Sequence, residues 1–179
     1  MRILILGGFG YLGLKLGFYL ASKNLDVTLC GREIPQSFKS YNNIKTKIID
    51  WKSQESIKAA VDSIELIINA AGLNSIECIN NNVEAFRLSS ESICNLLNIA
   101  CKSSLKRYIY ISSAHVYSDT LQGNITENSP TNNLHPYSIS KIIAEKVSMS
   151  LCKSNNVNCL IIRLSNVFGT PQDYNNNCW

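Results

Sequence analysis

Four glycines follow the first apolar segment of the chain within seven residues, at Gly7, Gly8, Gly10 and Gly13. The segment before them, Arg2 to Leu6, is a short leucine and β-branched run that is typical of a buried parallel strand. Gly8, Gly10 and Gly13 have the spacing G-x-G-x-x-G, and Gly7, Gly10 and Gly13 have the spacing G-x-x-G-x-x-G. Such a turn bends sharply after its strand, lets a pyrophosphate approach the backbone and packs the next helix tightly on the sheet. The alternative is a plain tight turn, so the residues after Gly13 decide between the two.

An amphipathic helix is predicted directly after this turn, over Tyr11 to Lys23. Its apolar side chains recur on one face, at Leu12, Leu16, Tyr19 and Leu20. The first N–H groups of a helix have no partner within the helix and bind anionic phosphates. The order strand, glycine turn, helix therefore predicts a dinucleotide site. Its expected phosphate contacts are Gly7, Gly10, Tyr11 and Leu12.

Strand and helix patterns alternate along the rest of the chain. Five further strands are predicted, at Val27–Cys30, Ile44–Ile49, Leu66–Ile68, Tyr108–Ile111 and Cys159–Leu164. Three further helices are predicted, at Ser53–Val61 with Ser53 as its cap, at Val83–Cys101 and at Tyr137–Leu151. The polar segment from Ser118 to Leu134 is predicted to be a surface loop. The alternation predicts an α/β fold: a doubly wound, mostly parallel, Rossmann-type sheet with helices on both faces, in one NAD(P)-binding domain over residues 1–179.

Composition excludes several other classes of protein. The net charge of +4 is mild and the basic residues are scattered, which argues against nucleic-acid binding. The seven cysteines have no C-x-x-C spacing and only two histidines accompany them, so we expect reduced thiols and no metal site. No signal peptide and no apolar run of the roughly 20 residues that cross a bilayer are found, so no membrane partner and a cytoplasmic location are expected.

The residues at the end of the second predicted strand bear on which dinucleotide is bound. An NAD site usually has Asp or Glu there to hold the ribose hydroxyls, whereas this chain has Cys30-Gly31-Arg32. A guanidinium can pair with a 2′-phosphate, so Arg32 favours NADP. Glu33, one residue later, leaves NAD open as the alternative. Asp50, after the third strand, is interpreted either as an acceptor for the adenine amine or as a strand-end cap.

A tyrosine and a lysine stand four residues apart at the start of the last predicted helix, at Tyr137 and Lys141. This spacing places both side chains on one helical face, and Pro136 suits the first turn. A free phenol is a poor acid–base group at neutral pH, and a nearby ammonium stabilises its phenolate. Ser113, where the fifth strand ends, would orient a carbonyl or hydroxyl of a substrate, the alternative being a serine that only terminates the strand.

Taken together, these segments resemble the extended short-chain dehydrogenases/reductases, a family of sugar-nucleotide epimerases, reductases and dehydratases. The resemblance rests on the order GGFGYLG, NAAG, NNV, SSAHVY, YSISK and RLSNVFG. It implies that Ser113, Tyr137 and Lys141 are the catalytic triad and that Asn82 supports the lysine through water. It also implies that Ala71 and Gly72 line the cofactor and that Asn166 contacts the substrate.

The reaction that this resemblance implies is hydride transfer between nicotinamide and a carbon bearing oxygen, on a nucleotide-linked sugar. Tyr137 would exchange the proton, and Lys141 would hold the ribose. Dehydratases of the family usually have Asp-Glu after a threonine at the position of Ser113, whereas this chain has Ala114-His115, which disfavours water elimination. His115 is interpreted as a loop residue near the substrate rather than a third acid–base group.

Members of this family usually have a further C-terminal substrate-binding region, and most of it is absent from this sequence. Two hypotheses are compatible with that length. The first is an NADP-dependent reductase or epimerase of which this chain is a truncated part. The second is a reduced NAD(P)-binding module with little or no turnover. A purely structural interaction protein would leave the glycine turn unexplained. A homodimer, if formed, is expected to use the helices that begin near Val83 and Tyr137.

Overall fold

Six parallel strands form one sheet in the computed structural model, which describes residues 1–39, 43–118, 122–167 and 169. The strands are β1 (Arg2–Leu6), β2 (Asp26–Gly31), β3 (Ile44–Ile48), β4 (Leu66–Asn69), β5 (Arg107–Ser113) and β6 (Asn158–Leu164). Their order is β3-β2-β1-β4-β5-β6, and every neighbouring pair is parallel. The strand order reverses between β1 and β4, and ligands of such sheets bind at this point, beyond the carboxyl ends of the strands. The predicted fold class is confirmed.

Six α-helices connect these strands. They are α1 (Tyr11–Ser22), α2 (Gln54–Val61), α3 (Ser75–Asn80), α4 (Asn82–Ser89), α5 (Glu91–Ala100) and α6 (Pro136–Ser154). Ser53 caps α2, as predicted, since its hydroxyl accepts a hydrogen bond from the Ser56 N–H. A single 3₁₀ turn, Ala114–Val116, follows β5.

The region between β4 and β5 differs from the prediction, which placed one helix over Val83–Cys101. The structure has α4 and α5 there, with the break at Ser90. The Ser90 hydroxyl donates to the Phe86 carbonyl at 2.6 Å, and hydrogen bonding of this kind by serine competes with regular helix. α3 was not predicted, although Asn74 and Glu77 form a capping box at its start.

Two apolar layers cover the two faces of the sheet. On one face, side chains of α2, α5 and α6 pack against the sheet around Leu4, Leu6 and Ile67. On the other face, α1 packs against Ile3, Ile5 and Leu29. Because both faces of the central strands are covered, their side chains are apolar on both sides. Within the described residues, no helix combines the length and apolar character needed to cross a bilayer.

Candidate functional site

The glycine turn brings the end of β1 very close to its neighbours. Gly7 has φ +72°, and a Cβ there would lie 2.8 Å from the Ala70 carbonyl carbon and the Ala71 nitrogen. A Cβ at Gly13 would collide with the Gly7 carbonyl oxygen. A Cβ at Gly10, in contrast, would meet only the Gly7 oxygen, at 3.3 Å. Gly7 and Gly13 therefore serve the packing of the turn, whereas Gly10 leaves space in front of it.

Gly10 is the N-cap of α1 and offers no side chain to the first helical turn. The N–H groups of a first turn, here at Tyr11 and Leu12, have no carbonyl partner inside the helix. They form the positive end of the helix dipole, beside the cleft that Gly7 and Gly10 line. This arrangement fits the diphosphate of a dinucleotide.

A cleft runs along the carboxyl edge of the sheet from β2 to β5, across the point where the strand order reverses. It is lined by Gly7, Gly10, Gly31, Arg32, Ile49, Trp51, Asn69, Ala70, Ala71, Gly72, Leu73, Leu88, Ser89, Ile93 and Tyr110. The cleft therefore brings together five of the predicted cofactor residues: Gly7, Gly10, Arg32, Ala71 and Gly72. The sequence did not identify Trp51 as a wall of the cleft, since nothing in its local pattern distinguishes it from a core residue.

The floor of the cleft is organised by Asn69, the last residue of β4, which is 2% exposed. Its Oδ1 accepts a hydrogen bond from the Ala71 N–H at 3.0 Å, and its Nδ2 donates to the Tyr108 hydroxyl at 2.8 Å. The asparagine thus fixes the turn that carries Ala71 and Gly72. A Cβ at Gly72 would lie 3.3 Å from Lys141 Nζ, so this turn is close to the ammonium.

The two candidate adenosine contacts, Arg32 after β2 and Asp50 after β3, have different surroundings. Arg32 is exposed and lines the cleft, and Glu33 beside it is exposed but is not part of the lining. Asp50 accepts a hydrogen bond from the Lys52 N–H at 2.9 Å, which matches its interpretation as a strand-end cap. Ile49 and Trp51, on either side of Asp50, form the wall there. The contact of Asp50 with adenine stays a prediction.

Tyr137 and Lys141 lie on the first turns of α6, facing the end of β5. Lys141 Nζ is 5.5 Å from the centre of the Tyr137 ring and 5.3 Å from that of Tyr110. It donates to the Ile111 carbonyl at 3.4 Å. Lys141 is only 7% exposed, and burial lowers its pKa to about 8, against the opposing charges of Cys78 and Glu145. The ammonium is therefore held in a dry environment next to the phenol, where its charge acts strongly.

Ser113 ends β5, and His115 lies in the 3₁₀ turn that follows it, beside the start of α6. Ser113 ends the strand, is buried, and accepts a hydrogen bond from the His115 N–H at 3.2 Å. The His115 ring is exposed and stands edge-on to Tyr137, with 6.2 Å between ring centres. Ser138 of α6 donates to the His115 carbonyl at 2.7 Å, which fixes the 3₁₀ turn to the helix. His115 and Tyr137 thus lie side by side at the end of the strand that Ser113 terminates, and the catalytic roles of these three residues stay predictions.

His135 caps the helix that carries Tyr137. Its Nδ1 accepts a hydrogen bond from the Tyr137 N–H at 3.1 Å, and Pro136 occupies the first helical position as predicted. An imidazole that accepts at Nδ1 carries its proton on Nε2, which lies 3.4 Å from the Ser75 hydroxyl. His135 was not predicted as a cap, because Ser, Thr, Asp and Asn are the usual N-cap residues; Pro136 after it was the only local signal for the start of the helix.

Two predicted asparagines lie outside the cleft. Asn82 is exposed at the first position of α4 and is not part of the cleft lining, whereas Ser89, the last residue of the same helix, is 9% exposed and does line it. Asn166 is exposed beyond β6. The water-mediated support from Asn82 and the substrate contact of Asn166 stay predictions.

A model of the NAD dependent epimerase/dehydratase family matches residues 3–177. The chain belongs to this family. The resemblance drawn from the glycine turn and the YSISK segment is therefore confirmed, and so is the expectation of an NAD-dependent family. Among the described residues, no cluster of His, Cys, Asp or Glu is arranged to hold a metal ion.

Relatives in the epimerase/dehydratase family resemble the whole chain at low identity. A UDP-glucose 4-epimerase of Dictyostelium discoideum is 26% identical over 197 residues, which covers 98% of this chain and 57% of that protein. The epimerase Mth375 of Methanothermobacter thermautotrophicus superposes with a TM-score of 0.87 at 21% identity, over 96% of this chain and 53% of that one. MoeE5, solved in complex with UDP-glucose and NAD, superposes with a TM-score of 0.78 at 18% identity, over 90% and 52%. The chain spans about half the length of the curated relatives it matches.

Proposed function

We propose that this chain is the cofactor-binding part of an NAD(P)-dependent oxidoreductase or epimerase that acts on a nucleotide-linked sugar. One observation carries the proposal: the Tyr137–Lys141 pair and the glycine turn lie along the same edge of the sheet, joined by the Ala71-Gly72 turn. The residues present fit a dinucleotide, because a Cβ would fill the space in front of Gly10 and the first turn of α1 has no side-chain cap. The 4-epimerase relative and the UDP-glucose complex of MoeE5 support a nucleotide-sugar substrate.

The geometry supports the following roles for the chain's own residues. The nicotinamide, when bound, supplies the hydride donor or acceptor. Tyr137 moves the proton of the substrate hydroxyl, because its phenol is beside the Lys141 ammonium, which stabilises the phenolate. Ser113, on the adjoining strand end, would orient the reacting oxygen. Lys141 also faces the Gly72 turn, where the cofactor ribose is expected.

NADP is the proposed dinucleotide, with NAD as the alternative. Arg32 supports NADP because its guanidinium lines the cleft at the end of β2, where a 2′-phosphate is recognised. NAD is supported by the family to which the chain belongs and by the NAD complex of MoeE5. Glu33, adjacent to Arg32, is the carboxylate that would hold the ribose hydroxyls of NAD.

Titration of the chain with NADPH and with NADH, followed by the fluorescence of the reduced nicotinamide, tests both the binding of a dinucleotide and the preference for NADP. We expect saturable binding of both, with NADPH tighter. The substitution Arg32→Ala should weaken NADPH at least about tenfold, the size of a lost charge-assisted hydrogen bond, and leave NADH nearly unchanged. Lys23→Ala, an exposed cation at the far end of α1, is the matched control. Binding of neither nucleotide would refute the cofactor site, and equal loss for both would refute the role of Arg32.

A reduced NAD(P)-binding module with little or no turnover is the second candidate function, since cofactor binding needs only the glycine turn and the cleft. Both candidates predict cofactor binding, so turnover separates them. The assay is the interconversion of UDP-glucose and UDP-galactose, or reduction of a nucleotide-linked keto sugar, by the chain with NAD(P)(H). Turnover that Tyr137→Phe abolishes without loss of cofactor affinity supports the enzyme. Binding with no turnover by the chain alone agrees with both candidates, so the same assay on a longer protein that contains this chain separates them: turnover there supports the enzyme, and none supports the module.

We propose, further, that two copies associate through α3 and α4. Three large apolar side chains are exposed there: Ile76, Ile79 and Val83 are 71%, 57% and 74% exposed. A cluster of this kind is unusual on a monomer and is buried when two copies pack these helices together. Light scattering should give twice the chain mass, and Ile79→Glu should halve it. An unchanged mass in that variant would rule this surface out.

A further inference from the structure

The ring of Phe9 stands where a side chain at Gly31, the last residue of β2, would project. A Cβ at Gly31 would lie 2.7 Å from Phe9 Cδ2 and 3.3 Å from Phe9 Cε2. Since Cβ contacts as short as 2.7 Å do not occur in proteins, any side chain at this position would force the ring to move. The backbone beside the ring is fixed, because the Gly8 N–H donates to the Cys30 carbonyl at 2.9 Å. The glycine turn thus fills the space beside the end of β2 with an aromatic ring.

A second aromatic ring holds Phe9 in this position. The Phe38 ring stands edge-on to that of Phe9, with 5.3 Å between ring centres and 77° between ring planes. Both rings are half-buried and pack against the apolar layer between α1 and the sheet. Because the Phe9 ring has packing partners around it, moving it aside loses contacts that no other group replaces. The space next to Gly31 therefore remains filled.

The same pair of rings holds the segment that follows β2. This segment carries Arg32 and Glu33, and the Phe38 N–H donates to the Pro35 carbonyl at 2.9 Å in the turn that brings Phe38 back to Phe9. The segment is thus attached at one end by β2 and at the other by the contact between the two rings. Arg32 lines the cleft, whereas Glu33 is not part of the lining.

The end of β2 is the place where Rossmann-type sheets recognise the adenosine ribose. NAD sites usually have a carboxylate there that accepts hydrogen bonds from the ribose hydroxyls. A carboxylate repels a 2′-phosphate, whereas a guanidinium pairs with it. The sequence shows only that neither Asp nor Glu stands at Gly31. The structure adds that the Phe9 ring leaves no room for either of them.

We propose that Phe9 and Phe38 determine which dinucleotide this chain prefers. The Phe9 ring keeps a ribose-binding carboxylate away from the end of β2, and the two rings together hold Arg32 at the cleft, where it meets a 2′-phosphate. Neither ring is among the residues that line the described cleft, so both are positioning residues. The inference rests on the proposed dinucleotide site and assigns its preference to the packing behind the glycine turn as well as to Arg32.

A carboxylate introduced at Gly31, with and without the Phe9 ring, tests the exclusion. In the Phe9→Ala background, Gly31→Asp should tighten NADH at least about tenfold, the size of a charge-assisted hydrogen bond, and should weaken NADPH. With Phe9 in place, Gly31→Asp should bring no gain in NADH affinity, because its Cβ meets the ring. Phe9→Ala alone is the matched control and should not gain NADH affinity either, since it supplies no acceptor. Nicotinamide fluorescence measures all four proteins.

Thermal melts keep this comparison informative if a variant is unstable. Gly31→Asp should melt below the wild type, and adding Phe9→Ala should remove most of that loss, because the ring is its cause. If Gly31→Asp does not fold, recovery of folding in the double variant is the same result. A gain in NADH affinity from Gly31→Asp with Phe9 present, or no gain with Phe9 absent, would overturn the proposal.

Trypsin cleavage after Arg32 tests the second part without any cofactor. Phe38→Ala should raise the rate of this cleavage in the folded chain about two- to tenfold, the factor that corresponds to the loss of an aromatic pair. Phe38→Leu, which keeps an apolar contact, should restore most of the protection. Tyr19→Ala, an exposed aromatic on α1, is the matched control and should be cleaved like the wild type.

The affinities of Phe38→Ala for the two nucleotides complete the test. This variant should weaken NADPH more than NADH, because Arg32 is no longer held at the cleft, and Phe38→Leu should regain the preference. Absence of binding to the wild type would refute the proposed function and this inference with it. Binding by the wild type, with a cleavage rate and a preference that Phe38→Ala leaves unchanged, would overturn this inference alone.

Discussion

Glu145 and Arg163 form a two-bond ion pair between α6 and β6, one helical turn beyond Lys141. Arg163 Nη2 lies 2.7 Å from Glu145 Oε2, and Arg163 Nε lies 3.0 Å from Oε1. Glu145 is 1% exposed and also accepts from the Ser112 hydroxyl at 2.5 Å. The hydrogen bonds that Arg163 donates to Glu145 raise the pKa of the guanidinium. The pair fixes the helix that carries Tyr137 and Lys141 to the strand ends that face them.

Replacing Arg163 with Met should destabilise the fold, because it leaves the Glu145 carboxylate buried without a counter-charge. A loss of about 3–5 kcal/mol is expected, the range for breaking one side of a buried pair. Urea unfolding measures it. The double variant Glu145→Gln/Arg163→Met should recover part of that loss, since it removes the buried charge. A double variant less stable than Arg163→Met alone would show that the charge is not the cause.

Stability should depend on pH through Lys141. Burial lowers its folded pKa to about 8, below its ordinary value of 10.5, so the folded state binds fewer protons than the unfolded state between these values. The cost of burying the ammonium is therefore fully present below about pH 8 and is relieved as the pH rises towards 10.5. Relative to wild type, Lys141→Met should be more stable by about 3 kcal/mol at pH 7, with the advantage disappearing by pH 10.5. Urea midpoints of both proteins across this range test it, and a pH-independent difference would contradict it.

An added side chain should have different effects on folding and on dinucleotide binding at Gly10 and at Gly13. Gly10→Val should fold and lose dinucleotide binding, because the new side chain fills the space in front of the first turn of α1. Gly13→Val should fail to fold stably, since its Cβ collides with the Gly7 carbonyl. Thermal melts report folding, and nicotinamide fluorescence reports binding. Tyr19→Ala, exposed on the same helix, is the control for Gly10→Val. Retained binding in Gly10→Val would discredit the assigned turn.

The fluorescence of Trp51 should report the binding of the cofactor directly. Because it forms part of the cleft wall and is 9% exposed, a bound reduced nicotinamide dinucleotide should quench its emission. Trp51→Phe should remove most of the quenching while retaining binding measured by nicotinamide fluorescence. The second tryptophan, Trp179, serves as the internal reference in that variant. Equal quenching in Trp51→Phe would place the dinucleotide elsewhere.

Replacing Asn69 should destabilise the fold more than replacing Tyr108, to which it donates a hydrogen bond. Asn69→Ala leaves the Ala71 N–H without its acceptor and the Tyr108 hydroxyl without a donor, so about 2–4 kcal/mol of stability should be lost at the two sites together. Tyr108→Phe removes only the second bond, so we expect about 1–2 kcal/mol. Urea unfolding gives both values. A larger loss in Tyr108→Phe would mean that the turn does not depend on the Asn69 side chain.

The strands, the glycine turn and the Tyr137–Lys141 pair could be predicted from the sequence because their patterns are local. All six strands and the helices α1, α2 and α6 follow from apolar periodicity and capping residues, with ends that differ by up to three residues. The break at Ser90 was not predicted, because the Val83–Cys101 segment keeps a helical apolar period on both sides of it.

The sequence by itself determined the glycine turn, the family and the spacing of Tyr137 and Lys141, since each is a short-range pattern with a fixed backbone meaning. Only the tertiary structure decided which side chains share an environment. It placed Asp50 as a strand-end cap, made Trp51 part of the cleft wall and paired Glu145 with Arg163. These contacts join residues from separate strands and helices, and no local pattern encodes distances across a sheet.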